Sequence, residues 1–162
     1  MTEYPLAPLA RVRKLREDAA ETEYAAARAA LLEASEKSAA RAKALEDYIL
    51  WRQEEEERRY QSIMRKDMSR KDLDEFKAGL GELRDRESSL AEELALAQKA
   101  EEDALKAQEQ ALEKLRRARK ETEKISAHKE IWLAEEAREA ERREDLEMEE
   151  FSKKKQEEVP HE

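Results

Sequence analysis

Helix-breaking residues occur at only three places in this 162-residue chain. The prolines and glycines are Pro5, Pro8, Pro160, Gly79 and Gly81. Because proline and glycine are the strongest interruptions of regular structure, the uninterrupted segments 9–78 and 82–159 can each form a long helix. The positions of these five residues therefore predict two helices that flank one break near the middle of the chain.

The composition restricts what such helices can pack into. Leu, Ile, Val and Phe together number 26, and the net charge is −9, values that are typical of disordered chains. However, Ala, Glu, Lys, Arg and Leu account for 112 residues, a bias that is typical of long helices and coiled coils. The chain has too few large apolar side chains for a thick core, so we expect a narrow seam between helices.

Two heptad series mark the expected seam of the second helix. The first series is Leu83, Leu90, Ala97, Ala104, Ala111, Ala118, Ile125 and Trp132. The second series is Glu87, Leu94, Glu101, Gln108, Leu115, Thr122 and Lys129. Alternating spacings of four and three residues over this length predict a coiled coil.

The first helix follows an apolar heptad less regularly. Its series begins as Val12, Leu15, Ala19, Thr22, Ala26 and Ala29. It drifts through residues 31–42 and resumes as Leu45, Ile49, Arg52, Glu56, Tyr60 and Ile63. A drift of this kind predicts local unwinding relative to the second helix.

A capping box, Ser69-Arg70-Lys71-Asp72, predicts that a helix restarts after the break. We expect one all-α domain: a first helix at about 8–66, a turn region at about 67–81 containing a short segment, and a second helix at about 82–155. Residues 156–162 are expected to form a frayed tail. The chain would then fold as a long antiparallel two-helix coiled-coil hairpin, with residue i opposite about 148 − i. A homodimer of straight rods is the alternative.

The sequence lacks the residues that most classes of functional site require. The chain has no Cys and only two His, His128 and His161, and it contains no metalloprotease, phosphate-loop or nucleophile motif. We therefore expect no enzyme activity, no cofactor and no metal. The acidic balance disfavours nucleic acid, and no apolar run could span a membrane. No signal peptide opens the chain, and the absence of Cys suits a reducing compartment.

Aromatic side chains are the unusual feature of the first helix. Helical geometry places Leu50 and Trp51 well away from the seam, with Tyr48 at its edge. An exposed Trp is typical of interaction hot spots. The alternative interpretation is that Trp51 packs on its own helix over the stems of Arg52 and Arg58.

The second helix carries a further apolar group, Ile131-Trp132-Leu133. Either the segment Tyr4-Pro5-Leu6 folds back to cover it, or it forms a partner-binding patch. Beyond about residue 140 this helix extends past the first one, with Leu146, Met148 and Phe151 as its apolar residues. That extension is either frayed or bound to a partner.

Several of these stretches resemble YscO-like proteins of type III secretion systems. The matching stretches are Glu46-Asp47-Tyr48-Ile49-Leu50-Trp51-Arg52-Gln53-Glu54-Glu55-Glu56, Arg58-Arg59-Tyr60, Lys71-Asp72-Leu73, Tyr4-Pro5-Leu6 with Arg11, Lys14 and Arg16, and His128-Lys129-Glu130 with Trp132. This family is itself similar to the FliJ stalk of flagellar export. The resemblance implies a two-helix rod similar to the coiled coil of the rotary ATP synthase gamma subunit.

The resemblance also implies partners. A stalk of this kind would contact the hexameric export ATPase, the cytoplasmic domain of the export gate and export chaperones, at the cytoplasmic face of the apparatus. The resemblance also allows the chain itself to be an exported substrate of the same apparatus. We expect the chain to be a monomer. The alternative function is a generic structural scaffold that homodimerises as a rod. The candidate partner-binding residues are Tyr48, Leu50, Trp51, Arg52, Glu55, Tyr60, Ile131, Trp132 and Phe151.

Overall fold

The computed structural model describes residues 2–158 and contains two helices in this range. Helix α1 is Ala7–Ile63, helix α2 is Arg70–Glu157, and the described part of the chain has no strand. The two helices pack against each other, which confirms the predicted all-α helical hairpin. Of the expected frayed tail, residues 159–162 lie outside the described part, and α2 continues through Glu157.

The turn is shorter than expected and lies earlier in the chain. Residues 64–69 connect the helices. The predicted capping box starts α2: the Asp72 N–H donates to Ser69 Oγ at 3.2 Å, and the Ser69 N–H donates to Asp72 Oδ2 at 3.4 Å. The expected turn region 67–81 and the expected start of the second helix at 82 are therefore wrong.

Gly79 and Gly81 lie inside α2, and neither has a positive φ. A glycine in a helix interior costs about 1 kcal/mol relative to alanine. Helical residues on both sides outweigh this cost, so α2 passes through the two glycines without a break. At Gly79 the missing side chain also leaves room for Arg59, whose Nη1 would lie 3.0 Å from an added Cβ.

Replacing Gly81 with alanine is expected to stabilise the hairpin by about 0.5–1 kcal/mol. Alanine lowers the backbone entropy of the unfolded chain, so less entropy is lost on folding. An added Cβ at this position also meets no atom within 4 Å. Gly79→Ala is the matched contrast and should gain less, because Arg59 must move aside. Urea denaturation followed by circular dichroism measures both variants. Destabilisation by Gly81→Ala would show that α2 is interrupted at this position.

The register also differs from the expected one. Within each unit defined below, cross-helix contacts join residues whose numbers add up to between 131 and 140, rather than about 148. The expected value placed the fold point in the middle of 67–81, whereas the chain turns at 64–69. As a result Leu15 does not face Trp132, and it is 67% exposed.

The predicted seam of α2 is confirmed. Every position of its two heptad series is buried or half-buried except Lys129, which is exposed. Leu115 is 2% exposed and is the largest side chain that is almost fully enclosed. A regular repeat of apolar residues was therefore sufficient to identify the packed face of α2.

The predicted seam at the start of α1 is wrong. Val12 and Leu15 are exposed, as are the other residues of that series up to position 29. The face that packs carries mostly small or polar side chains, with two leucines, at alternating spacings of three and four. Its residues are Arg13, Glu17, Ala20, Tyr24, Ala27, Leu31, Ala34, Ser38, Arg41, Leu45, Tyr48, Arg52, Glu55 and Arg59. The heptad of α1 is thus unbroken, and no drift is needed to explain it.

Long polar side chains suit this seam because the facing positions of α2 are often alanine. The stems of Arg and Tyr can cover small apolar positions while their polar ends reach acceptors on α2. Arg13 shows this, since its Nη1 donates to the Glu121 carbonyl oxygen at 3.1 Å. Arg41 does so as well, with Nη1 3.1 Å from Glu93 Oε2.

Contacts divide the chain into two compact units. The first unit combines the chain up to Thr22 with the chain from Glu113 onward, and its buried residues are Tyr4, Ala20, Leu115 and Ile125. The second unit is Glu23–Leu112 and contains the turn; its buried residues are Ser38, Leu83, Leu90 and Ala97.

Candidate functional site

An aromatic pair lies on α1 in the second unit. The Tyr48 hydroxyl donates a 2.6 Å hydrogen bond to the Leu83 carbonyl oxygen, which fastens its ring to α2. The Trp51 ring packs at an angle against the Tyr48 ring, with 5.6 Å between ring centroids, and Trp51 is 44% exposed. Tyr48 is therefore part of the packing between the helices, whereas Trp51 presents an indole face to solvent.

Of the two residues next to Trp51 in the chain, only Leu50 enlarges this exposed surface. Leu50 is 56% exposed, as its helical position predicted. Arg52 points the other way and lies between two carboxylates, 3.1 Å from Glu56 and 2.6 Å from Glu87. Burial alone would lower the pKa of Arg52, but its hydrogen bond to Glu56 and the charge of Glu87 raise that pKa above its ordinary value. Arg52 thus pairs within the hairpin and contributes little free surface.

Glu55 is held by two cations on its own helix. Arg58 Nη2 donates to Glu55 Oε2 at 2.7 Å, and Arg59 Nε donates to Glu55 Oε1 at 3.1 Å. These hydrogen bonds, first from Arg58 and then from Arg59, hold the pKa of Glu55 below its ordinary value of 4.5. The Glu55 carboxylate is therefore already paired, and a partner would have to compete for it.

Tyr60 and Phe76 pack against each other close to the turn. Their rings meet edge to face with centroids 5.3 Å apart, and Tyr60 is 45% exposed. Phe76 was not among the sequence candidates, because a single aromatic ten residues into the presumed turn region carried no distinctive pattern. The pair joins α1 to α2 and leaves one face of Tyr60 open.

In the first unit, Trp132 is covered by the N-terminal segment. Tyr4 is 6% exposed, its ring lies 5.4 Å from the Trp132 ring, and its hydroxyl is 2.5 Å from His128 Nδ1. This contact supports the interpretation in which residues 4–6 fold back over the apolar triplet. Ile131 is not covered and is 60% exposed.

The end of α2 carries the remaining candidate, Phe151. It is 68% exposed and lines a shallow groove with Met148, which is 71% exposed, together with Glu144, Glu147 and Ser152. This segment is helical but has no α1 residues beside it, since Thr2 already contacts Glu136. It therefore presents an acidic surface with two large apolar side chains.

The nine sequence candidates do not form one site. Leu50, Trp51 and Tyr60 offer open surface in the second unit, whereas Ile131 and Phe151 do so in the first. Tyr48, Arg52, Glu55 and Trp132 are engaged within the chain. The arrangement offers surfaces for protein contact.

Within residues 2–158, no cluster of three or more His, Cys, Asp or Glu side chains is arranged to hold a metal ion. No helix among the described residues is long and apolar enough to cross a membrane.

Comparisons with known proteins point to one family. The family model described as "Type III secretion protein YscO" matches residues 6–154. The chain is similar to the crystal structure of type III secretion protein YscO from Vibrio parahaemolyticus, with 27% identity, a TM-score of 0.83, and coverage of 90% of this chain and 92% of that one. It is also similar to a YscO homologue from Chlamydia trachomatis, with 25% identity, a TM-score of 0.79, and coverage of 97% and 96%. No curated protein sequence matches significantly.

Proposed function

The chain belongs to the YscO family of type III secretion proteins, and we propose that it acts as a non-catalytic stalk of the export apparatus. In this role it links the hexameric export ATPase to the cytoplasmic domain of the export gate and also binds export chaperones. The observation that carries the proposal is the family match, which covers residues 6–154 and so almost the whole hairpin.

The distribution of exposed apolar side chains supports a linking role. Each of the two units has its own surface, with Leu50 and Trp51 in one and Met148 and Phe151 in the other. Aromatic and methionine side chains are enriched at protein interfaces. A linking stalk requires a surface for each partner, and each unit provides one.

The titratable side chains support a role without catalysis. The carboxylate with a lowered pKa, Glu55, is bonded to Arg58 and Arg59 on the same helix. A general base needs a pKa near the working pH and free access to its substrate. Glu55 meets neither requirement and is therefore not a candidate base. In the proposed role the chain acts by binding alone, at the cytoplasmic face of the apparatus.

Binding measurements with purified components test the stalk proposal. The full chain should bind the export ATPase and the cytoplasmic domain of the gate separately, and the two together should form a ternary complex with it. Calorimetry measures each affinity, and light scattering after size exclusion measures the mass of the free chain. We expect a monomer of 19.0 kDa.

Three results would contradict the stalk role. The first is a folded chain that binds neither partner. The second is an obligate dimer that masks its exposed aromatic side chains, which would favour the homodimeric scaffold. A chain that binds only one of the two partners would also exclude a linking function.

A further inference from the structure

The turn of the second unit carries a concentration of positive charge. Residues 58–71 contain six Arg or Lys and a single acidic residue, Asp67, in a chain whose net charge is −9. Four of these cations, which we call the basic tip, lie in the connection between α1 and α2 or at the start of α2: Arg65, Lys66, Arg70 and Lys71. All four are exposed, and none forms an ion pair with another residue in 2–158.

These free cations differ from most of the charged surface nearby. Arg58 and Arg59 are paired with Glu55, and Arg84 lies 3.4 Å from Glu56. The closest acidic side chain after the turn, Asp72, bonds to the Ser69 N–H in the cap of α2. Asp72 keeps its negative charge in this bond, and Asp74 and Glu75 follow it on α2, so the excess of positive charge ends at Lys71.

Exposed apolar side chains lie among these cations. Met64 is 82% exposed, the highest exposure of any large apolar residue described, and it is the first residue after α1. Tyr60 is 45% exposed and Leu73 is 39% exposed. A long flexible thioether surrounded by cations combines apolar and electrostatic attraction in one small area.

We propose that the basic tip adsorbs reversibly to an anionic lipid bilayer. Arg65, Lys66, Arg70 and Lys71 would lie among the phosphate headgroups, and Met64 would enter the boundary with the acyl chains. Each cation near an anionic membrane strengthens binding by about fivefold. An apolar side chain inserted beside a basic cluster adds buried apolar area to the electrostatic attraction, and binding to a membrane interface increases with both.

A bilayer fits this surface better than a folded protein does. A specific protein interface usually needs about 800 Å² on each partner, with an apolar centre surrounded by polar residues. Here the apolar side chains are few and are separated by cations on both sides of a turn. A fluid membrane requires no matching shape, and its charge complements the basic tip. This inference goes beyond the stalk role and does not depend on it.

Sedimentation with lipid vesicles tests the inference on the full chain. Vesicles of phosphatidylcholine containing about one-third phosphatidylglycerol should bind the chain, whereas vesicles of phosphatidylcholine alone should not, and high salt should release it. Changing all four cations of the basic tip to glutamine should weaken binding at least a hundredfold. Met64→Ser should weaken it severalfold, and circular dichroism should show unchanged helicity in both variants.

A matched control removes the same charge elsewhere. Four exposed cations on α2 can be changed to glutamine together: Arg116, Arg117, Lys120 and Lys124. This variant should keep binding to anionic vesicles within a few fold. An equal loss in the control, or a wild-type chain that does not bind anionic vesicles, would overturn the inference.

A protein partner for the basic tip gives a different result. In that case the tip variant would sediment with vesicles as the wild type does but would lose affinity for the cytoplasmic domain of the gate in the absence of lipid. If the chain binds anionic vesicles through the tip but binds neither ATPase nor gate, the stalk proposal fails and the lipid inference stands.

Discussion

Replacing Leu115 with alanine is expected to lower the free energy of unfolding by about 2–4 kcal/mol. Leu115 is 2% exposed and lies on the seam of α2 in the first unit. Truncating it removes apolar contacts and leaves a cavity that two long helices cannot easily close. Since a domain of this size is stable by only about 5–15 kcal/mol, the loss should be evident in urea denaturation followed by circular dichroism.

Leu96→Ala is the matched control for this experiment. Leu96 also lies far from either end of α2, but its side chain is 72% exposed. The substitution is chemically identical, and leucine and alanine both favour helix, so the control should change stability by less than about 0.5 kcal/mol. If the two variants were equally stable, Leu115 would not be buried, and the seam of α2 would lie on another face.

The sequence predicted those features of the fold that depend on local signals. The capping box at Ser69 and Asp72 marked the start of α2, because its two hydrogen bonds are made within four residues. The seam of α2 was found because leucine, isoleucine and alanine recur there at heptad spacing. Both signals have a strong physical cause that does not depend on the partner helix.

The seam of α1 could not be found in the same way. Its packed face includes Arg13 and Arg41, side chains that a search for apolar residues assigns to solvent. They are half-buried because each finds an acceptor on α2, which is a tertiary property. A heptad formed by polar residues on one helix and small residues on the other is visible only when both helices are aligned correctly.

The register error had a separate cause. Gly79 and Gly81 suggested a long turn region, because glycine disfavours helix by about 1 kcal/mol. That cost is small compared with the free energy that a long helix gains by packing, so both glycines are helical. The chain therefore turns just before Ser69 and not at the glycines. Contacts such as those of Tyr4 with His128 and Trp132 follow from the true register.

The candidate site was predicted in part. Helical geometry correctly placed Leu50 and Trp51 away from the seam. It did not reveal that Tyr48 bonds to the Leu83 carbonyl oxygen, and it left open whether Tyr4-Pro5-Leu6 covers Trp132 or leaves it to a partner. Those contacts join residues 35 and 128 positions apart in the chain, and no local pattern indicates them.

Replacing Trp51 with alanine is expected to weaken binding to one stalk partner by ~1–3 kcal/mol, which is about 5- to 150-fold, with little change in thermal stability. Trp51 is 44% exposed, and its ring contact is with Tyr48, which keeps its own bond to α2. Loss of the indole should therefore remove a contact surface and leave the hairpin folded. Calorimetry with the ATPase, the gate domain and a chaperone, alongside melting by circular dichroism, measures both effects.

Tyr48→Phe separates stability from binding. It keeps the ring on which Trp51 leans but removes the hydroxyl that donates to the Leu83 carbonyl oxygen. Loss of one such hydrogen bond typically costs about 0.5–1.5 kcal/mol of stability, so this variant should melt earlier while the folded chain binds as the wild type does. The opposite pattern, in which Trp51→Ala lowers the melting temperature and binding of the folded chain is unchanged, would make the indole a packing group. The partner surface of the second unit would then have to be sought at Leu50 and Tyr60, which are also exposed.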